Sequence, residues 1–167
     1  MPQPSAQPSA PDSQHASAQP LVGVILGSES DLEVMRGTLT QLEDFGVPFE
    51  LLIASAHRSP ERVHTWASGA AQAGMKVIIA AAGKAAHLAG VVASFTVLPV
   101  IAVPMRTSDL GGLDSLLSMV QMPTGVPVAT VAINGARNAA ILATQILAVA
   151  DAAYRRKLEE YKEGLAT

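Results

Sequence analysis

The sequence contains no cysteine. This absence excludes disulfide bonds, thiolate nucleophiles and zinc sites with thiolate ligands, and it is compatible with the cytoplasmic location that we expect. Histidines and carboxylates do not cluster with metal-ligand spacing, and no Ser-His-Asp order stands out. We therefore expect neither a metal nor a covalent intermediate.

Aromatic residues and positive charge are also scarce. The chain has one Trp, two Tyr and three Phe, and its formal net charge is -3. Proteins that bind nucleic acids need a basic footprint and often stacking rings, so we expect no nucleic-acid partner. Prolines or polar residues interrupt every apolar run before it could span a bilayer, so we expect no membrane partner.

The first twenty residues consist largely of Pro, Ala, Ser and Gln and hold five of the eleven prolines. Such a segment buries too little apolar surface to offset the entropy of ordering it, which predicts a disordered tail over residues 1–20. The remainder, residues 21–167, suits one domain of ordinary size.

Short apolar runs alternate with helix-length segments along this domain. The runs are rich in Val, Ile and Ala without in-out alternation, which is typical of parallel strands covered on both faces. The predicted strands are residues 21–26, 51–54, 76–82, 99–103 and 126–132. The predicted helices are residues 31–45, 60–73, 84–95, 113–120 and a long C-terminal helix over 138–163, the first of them with a capping box at Ser30 and Glu33.

This alternation predicts an α/β fold, a three-layer αβα sandwich around a doubly wound parallel sheet of five strands. Right-handed crossovers leave few topologies, and we expect the flavodoxin-like order 2-1-3-4-5. Strand 1 then lies between strands 2 and 3. Polar motifs that follow these three strands open at one edge and could build one pocket.

The first motif is Gly27-Ser28-Glu29-Ser30-Asp31, between a strand and a helix. Backbone amides and small hydroxyls meet the positive end of a helix dipole there, which favours anion binding. Helix capping alone would also account for these residue types.

The second motif, Ser55-Ala56-His57-Arg58, follows the second strand. Arginine can hold a phosphate through two parallel hydrogen bonds, and histidine can exchange a proton near neutral pH. An exposed pair without a role is the alternative, since loops are polar in general.

The third motif runs from Ala82-Gly83-Lys84 to His87-Leu88 and on to Gly90. Its small residues would let a ligand approach the backbone closely, or would serve tight helix packing. Together the motifs point to acid/base chemistry on a phosphorylated small molecule.

Six motifs occur in order along the chain. They are Gly-Ser-x-Ser-Asp from Gly27, Ser-Ala-His-Arg-x-Pro from Ser55, Ala-Gly-x-Ala-Ala-His-Leu-x-Gly from Ala82, Leu-Asp-Ser-Leu-Leu-Ser from Leu113, Val-Gln-Met-Pro from Val120 and Asn-Ala-Ala from Asn138. The set resembles the PurE family of phosphoribosylaminoimidazole carboxylases in purine biosynthesis, in particular its N5-carboxyaminoimidazole ribonucleotide mutases.

The resemblance implies a homo-octamer that moves a carboxylate from an exocyclic nitrogen to a ring carbon of an imidazole ribonucleotide, with His57 as the proton shuttle and no cofactor. It implies that Ser30 and Arg58 bind the phosphate and that Asp31 binds the ribose hydroxyls. The residues implied to surround the carboxylate or carbon dioxide are Ser28, Ser55, Ala82 and Gly83, with His87 and Leu88 closing that wall. Gly27, Ala56 and Lys84 complete the predicted substrate-binding set.

Three positions depart from the pattern of the mutases. Lys84 stands where the family usually has glycine, Ala89 where it has proline and Leu32 where it often has tryptophan. A basic residue at Lys84 resembles the branch that carboxylates aminoimidazole ribonucleotide directly with carbon dioxide, but that branch lacks the counterpart of His87. The mutase is the leading interpretation, and direct carboxylation or a noncatalytic nucleotide-binding paralogue are the alternatives.

Overall fold

The computed structural model describes residues 19–166, so all but the end of the predicted N-terminal tail lies outside the described residues. The sheet has five parallel strands in the order β2-β1-β3-β4-β5, which confirms the predicted topology. The strands are β1 Val22–Leu26, β2 Phe49–Ile53, β3 Val77–Ala82, β4 Val100–Pro104 and β5 Ala129–Thr130.

Six α-helices are described on the two faces of this sheet. They are α1 Leu32–Asp44, α2 Pro60–Gly69, α3 Leu88–Phe95, α4 Leu113–Val120, α5 Ala136–Ala148 and α6 Ala152–Leu165. One apolar cluster joins the sheet to α1 and α5, and a second joins the opposite face to α2, α3 and Met119 of α4. All residues of β1, β3 and β4 are buried, as their unbroken apolar sequences predict.

The starts and ends of several helices differ from the prediction, most clearly in α1, α2 and α3. A short 3-10 turn, Glu29–Asp31, precedes α1, and the backbone N–H of Ser30 donates to Ser28 Oγ, so the predicted capping box at Ser30 does not form. Helix α3 begins at Leu88 rather than Lys84, because Lys84 has a left-handed backbone with φ of 57°. Helix α2 ends at Gly69, before the predicted end at residue 73.

The predicted C-terminal helix is two helices, α5 and α6, with a break at residues 149–151. Asp151 is extended, and its side chain accepts from the N–H of Ala153, so it caps a new helix. Arg155 then donates to the carbonyls of Ala148 and Val149 at the end of α5. Apolar residues continue at helical spacing through this region, so the sequence predicted one helix although Asp151 is a typical helix-capping residue.

Candidate functional site

A cavity of about 600 Å³ opens at the carboxyl ends of β1, β2, β3 and β4. Every residue predicted for the site lines it except His87, which contacts His57 instead. The predicted lining residues are Gly27, Ser28, Ser30, Asp31, Ser55, Ala56, His57, Arg58, Ala82, Gly83, Lys84 and Leu88. Four loops far apart in sequence meet here because parallel strands end at one edge of the sheet.

The β1–α1 turn supplies hydroxyls and one buried carboxylate. Ser30 Oγ donates to Ser28 Oγ at 2.9 Å, and both side chains line the cavity. Asp31 is 9% exposed, and burial raises the pKa of its carboxyl, an effect that contacts with Ser28 and Ser30 partly offset. A side chain at Gly27 would crowd this turn, because an added Cβ would lie 3.3 Å from the Cβ of Ala82.

The β2–α2 loop brings two histidines together through His57. His57 Nε2 lies 3.0 Å from His87 Nδ1, and the two rings meet edge to face with centroids 5.1 Å apart. In such a contact one nitrogen donates and the other accepts, so a proton on His57 is coupled to the tautomer of His87. His57 is exposed to the cavity and free to approach a ligand from its other side.

Arg58 lies beside the β1–α1 turn. Its backbone N–H donates to Ser55 Oγ at 3.3 Å, and its guanidinium donates through Nη2 to the carbonyl of Gly27 at 3.4 Å. The remaining guanidinium N–H groups share the cavity with Ser30. A planar guanidinium beside backbone amides and hydroxyls is suited to binding a phosphate.

The β3–α3 and β4–α4 loops form the opposite wall. An added Cβ at Gly83 would lie 3.4 Å from Thr107 Cγ2 and 3.5 Å from Met105 Cβ, so these two loops are closely packed. Lys84 lines the cavity, but its Nζ forms an ion pair with Asp109 at 2.7 Å.

Sequence reasoning missed the lining residues that follow β4 and one in the β3–α3 loop. They are Ala85, Met105, Arg106, Thr107 and Ser108. The signal was available, since a polar segment follows a buried strand there as it does after β1, β2 and β3.

Asp114, Ser115 and Ser118 of α4 do not line the cavity and brace the β4–α4 loop from outside it. Thr107 Oγ1 donates to the carboxylate of Asp114 at 2.8 Å, and buried Ser115 Oγ donates to the carbonyl of Met105 at 2.6 Å. Ser118 Oγ donates to the carbonyl of Asp114, and residues 121–125 do not line the cavity.

Residues 19–166 contain no group of three or more His, Asp or Glu side chains arranged to hold a metal ion. Within the same residues, no helix has the length and apolar character needed to cross a membrane.

Comparison with known proteins places the chain in a family. Residues 21–167 match the AIR carboxylase family. The N5-carboxyaminoimidazole ribonucleotide mutase of Thermotoga maritima is 58% identical over 144 residues, 86% of this chain and 84% of that protein. The mutase of the same name from Pyrococcus horikoshii is 56% identical over 149 residues, 89% of this chain and 84% of that protein.

A fungal relative and a solved structure agree with this match. The phosphoribosylaminoimidazole carboxylase of Saccharomyces cerevisiae is 56% identical over 146 residues, 87% of this chain but 26% of that protein. The crystal structure of Treponema denticola PurE superposes with a TM-score of 0.80 at 30% identity, covering 88% of this chain and 92% of that chain. The chain belongs to the AIR carboxylase family, also called PurE.

Proposed function

We propose that the chain is an N5-carboxyaminoimidazole ribonucleotide mutase, an isomerase of purine biosynthesis. The mutases of Thermotoga and Pyrococcus share more than half of its residues over most of its length. The observation that carries the proposal is His57, which lines a cavity between a group of anion-binding residues and a wall of small residues.

In the proposed complex, Ser30 and Arg58 bind the phosphate and Asp31 binds the ribose hydroxyls. The imidazole then lies over His57, with its carboxylate near Ser28, Ser55, Ala82 and Gly83. His87 orients His57 through their contact, and Leu88 closes the wall, while Gly27, Ala56 and Lys84 complete the binding surface. All these residues meet at one edge of the sheet, which supports the assignment.

The reaction requires two proton transfers. A proton from His57 makes the carbamate nitrogen a leaving group, the nitrogen–carbon bond breaks, and carbon dioxide is released in the cavity. The freed amine activates the adjacent ring carbon, which forms a bond to the same carbon dioxide, and His57 then takes the ring proton. Each assisted proton transfer contributes roughly 10²–10⁴-fold, and confinement of carbon dioxide adds a proximity effect.

The active protein is proposed to be a cytoplasmic homo-octamer of a single catalytic domain, residues 21–167. An exposed apolar stripe on and before α4 supports an interface between subunits, since large exposed apolar patches mark contact surfaces. Its residues are Leu110, Leu113, Leu117 and Val120, which are 63%, 51%, 47% and 49% exposed. Sedimentation should give eight times the subunit mass, and a monomer at working concentration would contradict this assembly.

Direct carboxylation of aminoimidazole ribonucleotide is the second candidate, favoured by one observation, the basic Lys84 in the cavity lining. Two assays separate the candidates. Purified protein is given the N-carboxylated ribonucleotide in one, and the uncarboxylated ribonucleotide with bicarbonate in the other. The mutase requires efficient turnover of the first substrate, and turnover of the second alone, at high bicarbonate, would overturn the proposal.

A further inference from the structure

An ion pair joins two loops at the rim of the cavity. Lys84 Nζ, from the β3–α3 loop, lies 2.7 Å from Asp109 Oδ2, from the β4–α4 loop. The side chains are 66% and 57% exposed, so the pair lies at the surface where the cavity opens. It is the only salt bridge found within residues 19–166.

The backbone of Lys84 has a conformation that residues other than Gly and Asn rarely adopt. Its φ is 57°, and the residue follows Gly83, where the chain leaves β3. A lysine in the left-handed region is disfavoured unless surrounding contacts hold it. The contacts that hold it are the ion pair to Asp109 and two hydrogen bonds to the Lys84 carbonyl, from Ala86 N–H at 2.8 Å and from Ser118 Oγ of α4 at 3.5 Å.

The partner loop is held less firmly near Asp109 than at its base. Thr107 is tied to Asp114 of α4, but Gly111 and Gly112, which follow Asp109, both have positive φ. An added Cβ at Gly111 would contact nothing within 4 Å, whereas one at Gly112 would lie 2.8 Å from Ile133 Cγ2, so the loop is packed at Gly112 and open at Gly111. The ion pair between Lys84 and Asp109 therefore links the two loops at the rim of the cavity.

The charges around the pair favour it. Asp109 accepts from Ser108 Oγ at 3.2 Å, and Asp114 adds a further negative charge near Lys84. The hydrogen bond with Asp109 raises the pKa of Lys84, and the same contact lowers the pKa of Asp109. Both groups thus stay charged at neutral pH.

We infer that Lys84 and Asp109 form a strap that holds the β3–α3 and β4–α4 loops together and so retains the carbon dioxide released during turnover. The inference rests on the proposed mutase function. Both are positioning residues, because they act on the wall around Ala82 and Gly83 rather than on the reacting atoms. The chemistry is unchanged by the strap, and only the competition between recapture and escape of carbon dioxide depends on it.

The test measures that competition directly. The enzyme converts unlabelled N-carboxylated ribonucleotide in buffer containing ¹³C-bicarbonate and carbonic anhydrase, and mass spectrometry gives the labelled fraction of product, corrected for exchange without enzyme. The variants are Lys84→Met, Asp109→Asn and the charge reversal Lys84→Asp with Asp109→Lys. The control is Lys76→Met, which removes an exposed lysine at the opposite end of β3.

Each single variant should raise the labelled fraction about threefold, a size typical of the loss of one exposed ion pair. The charge reversal should return the fraction toward that of the native protein, and Lys76→Met should leave it unchanged. Higher ionic strength should raise the fraction in the native protein and have little effect on Lys84→Met, since salt screens exposed charges. Thermal melting of each variant checks that it is folded.

The outcomes separate the two proposals. If the native protein does not isomerise the N-carboxylated ribonucleotide, the proposed function fails and the strap fails with it. If it does, but the single variants match the native labelled fraction, or only one of them changes it, or the charge reversal fails to restore it, the strap is wrong and the mutase stands.

Discussion

The cavity has two unlike halves. One half, called the anion-binding half for the phosphate that we propose it binds, consists of the β1–α1 and β2–α2 loops and presents Ser30, His57 and Arg58. The other, the wall half, consists of the β3–α3 and β4–α4 loops, where Ala82, Gly83 and Met105 come close together.

The halves also differ in how they are held in place. The anion-binding half begins helices α1 and α2 within a few residues of its strands, and Arg58 joins its two loops through Gly27. The wall half contains the longest of the four loops, β4–α4, and has positive φ at Lys84, Gly111 and Gly112. Side-chain contacts tie its loops in place. We expect the anion-binding half to be the more rigid, which suits the proton transfer and phosphate binding that we propose for it. The position of the wall half depends on single side-chain contacts.

The largest expected effect comes from His57 in the anion-binding half. His57→Asn should lower kcat by roughly 10²–10⁴-fold because no group of suitable acidity replaces the imidazole. Binding of the nucleotide, measured by calorimetry, should be largely retained, since Ser30 and Arg58 are unchanged.

The control for this change is His64→Asn, on helix α2, whose ring contacts Phe95 and does not line the cavity. Its kcat should equal that of the native protein. Full activity in His57→Asn would remove His57 from the mechanism.

Removal of the Arg58 guanidinium should weaken binding of the substrate and leave kcat nearly unchanged. Arg58→Met should raise KM about 10- to 100-fold, because hydrogen bonds to a charged phosphate are among the stronger ones. Arg36→Met, which removes an exposed arginine of α1, is the matched control and should change neither constant. A fall in kcat with unchanged KM would place the phosphate elsewhere.

A smaller effect is expected at Asn134, which lies in the β5–α5 loop and braces the β4–α4 loop of the wall half. Its φ is 56°, and its Oδ1 accepts from the backbone N–H of Arg106 at 2.8 Å. Asn134→Ala should lower the free energy of unfolding by about 1 kcal/mol, because Ala tolerates the left-handed region less well. Asn138→Ala, in helix α5, should be neutral or slightly stabilising.

Asn134→Ala also sharpens the comparison between the halves. Affinity for the uncarboxylated ribonucleotide, which depends on the anion-binding half, should be unchanged by calorimetry. A loss of that affinity comparable to the loss in Arg58→Met would show that the halves do not act independently.

The smallest effect concerns the pH dependence of folding through Asp31. Burial raises the pKa of its carboxyl, so just above the ordinary pKa of 3.8 the folded state binds more protons than the unfolded state. Stability is therefore lost as the pH rises through the pKa of Asp31 in the folded state. Asp31→Asn should reduce this dependence of the free energy of unfolding on pH and raise that free energy at neutral pH. Denaturant titrations across the acid range measure both.

Glu33→Gln is the control for Asp31→Asn. Glu33 is exposed in the first turn of α1, where its charge favours the helix dipole, so its loss should not stabilise the fold. A neutral-pH stability of Asp31→Asn below that of the native protein would contradict the burial argument.

Much of the fold and site follows from the sequence because strands buried on both faces have a strong signature. The uninterrupted apolar residues of β1, β3 and β4 identified the sheet, and the polar motifs after β1, β2 and β3 identified the cavity. The edge strand β5 is two residues long, although a longer apolar run predicted more.

The errors arose where a few side chains override a periodic pattern. Asp151 begins a new helix although apolar residues continue through α5 and α6, and Lys84 interrupts the predicted start of α3. A polar segment follows β4 and marks this edge of the cavity, but which of its residues line the cavity depends on contacts far along the chain, such as Arg106 with Asn134. Such contacts have no local sequence signal.

The most direct test of the division between the halves is a crystal structure with the carboxylated ribonucleotide bound. The account predicts phosphate oxygens within hydrogen-bonding distance of Ser30 and Arg58, the imidazole beside His57 and the carboxylate against Ala82 and Gly83. A phosphate bound by Lys84 and Arg106 instead, with the imidazole away from His57, would contradict it.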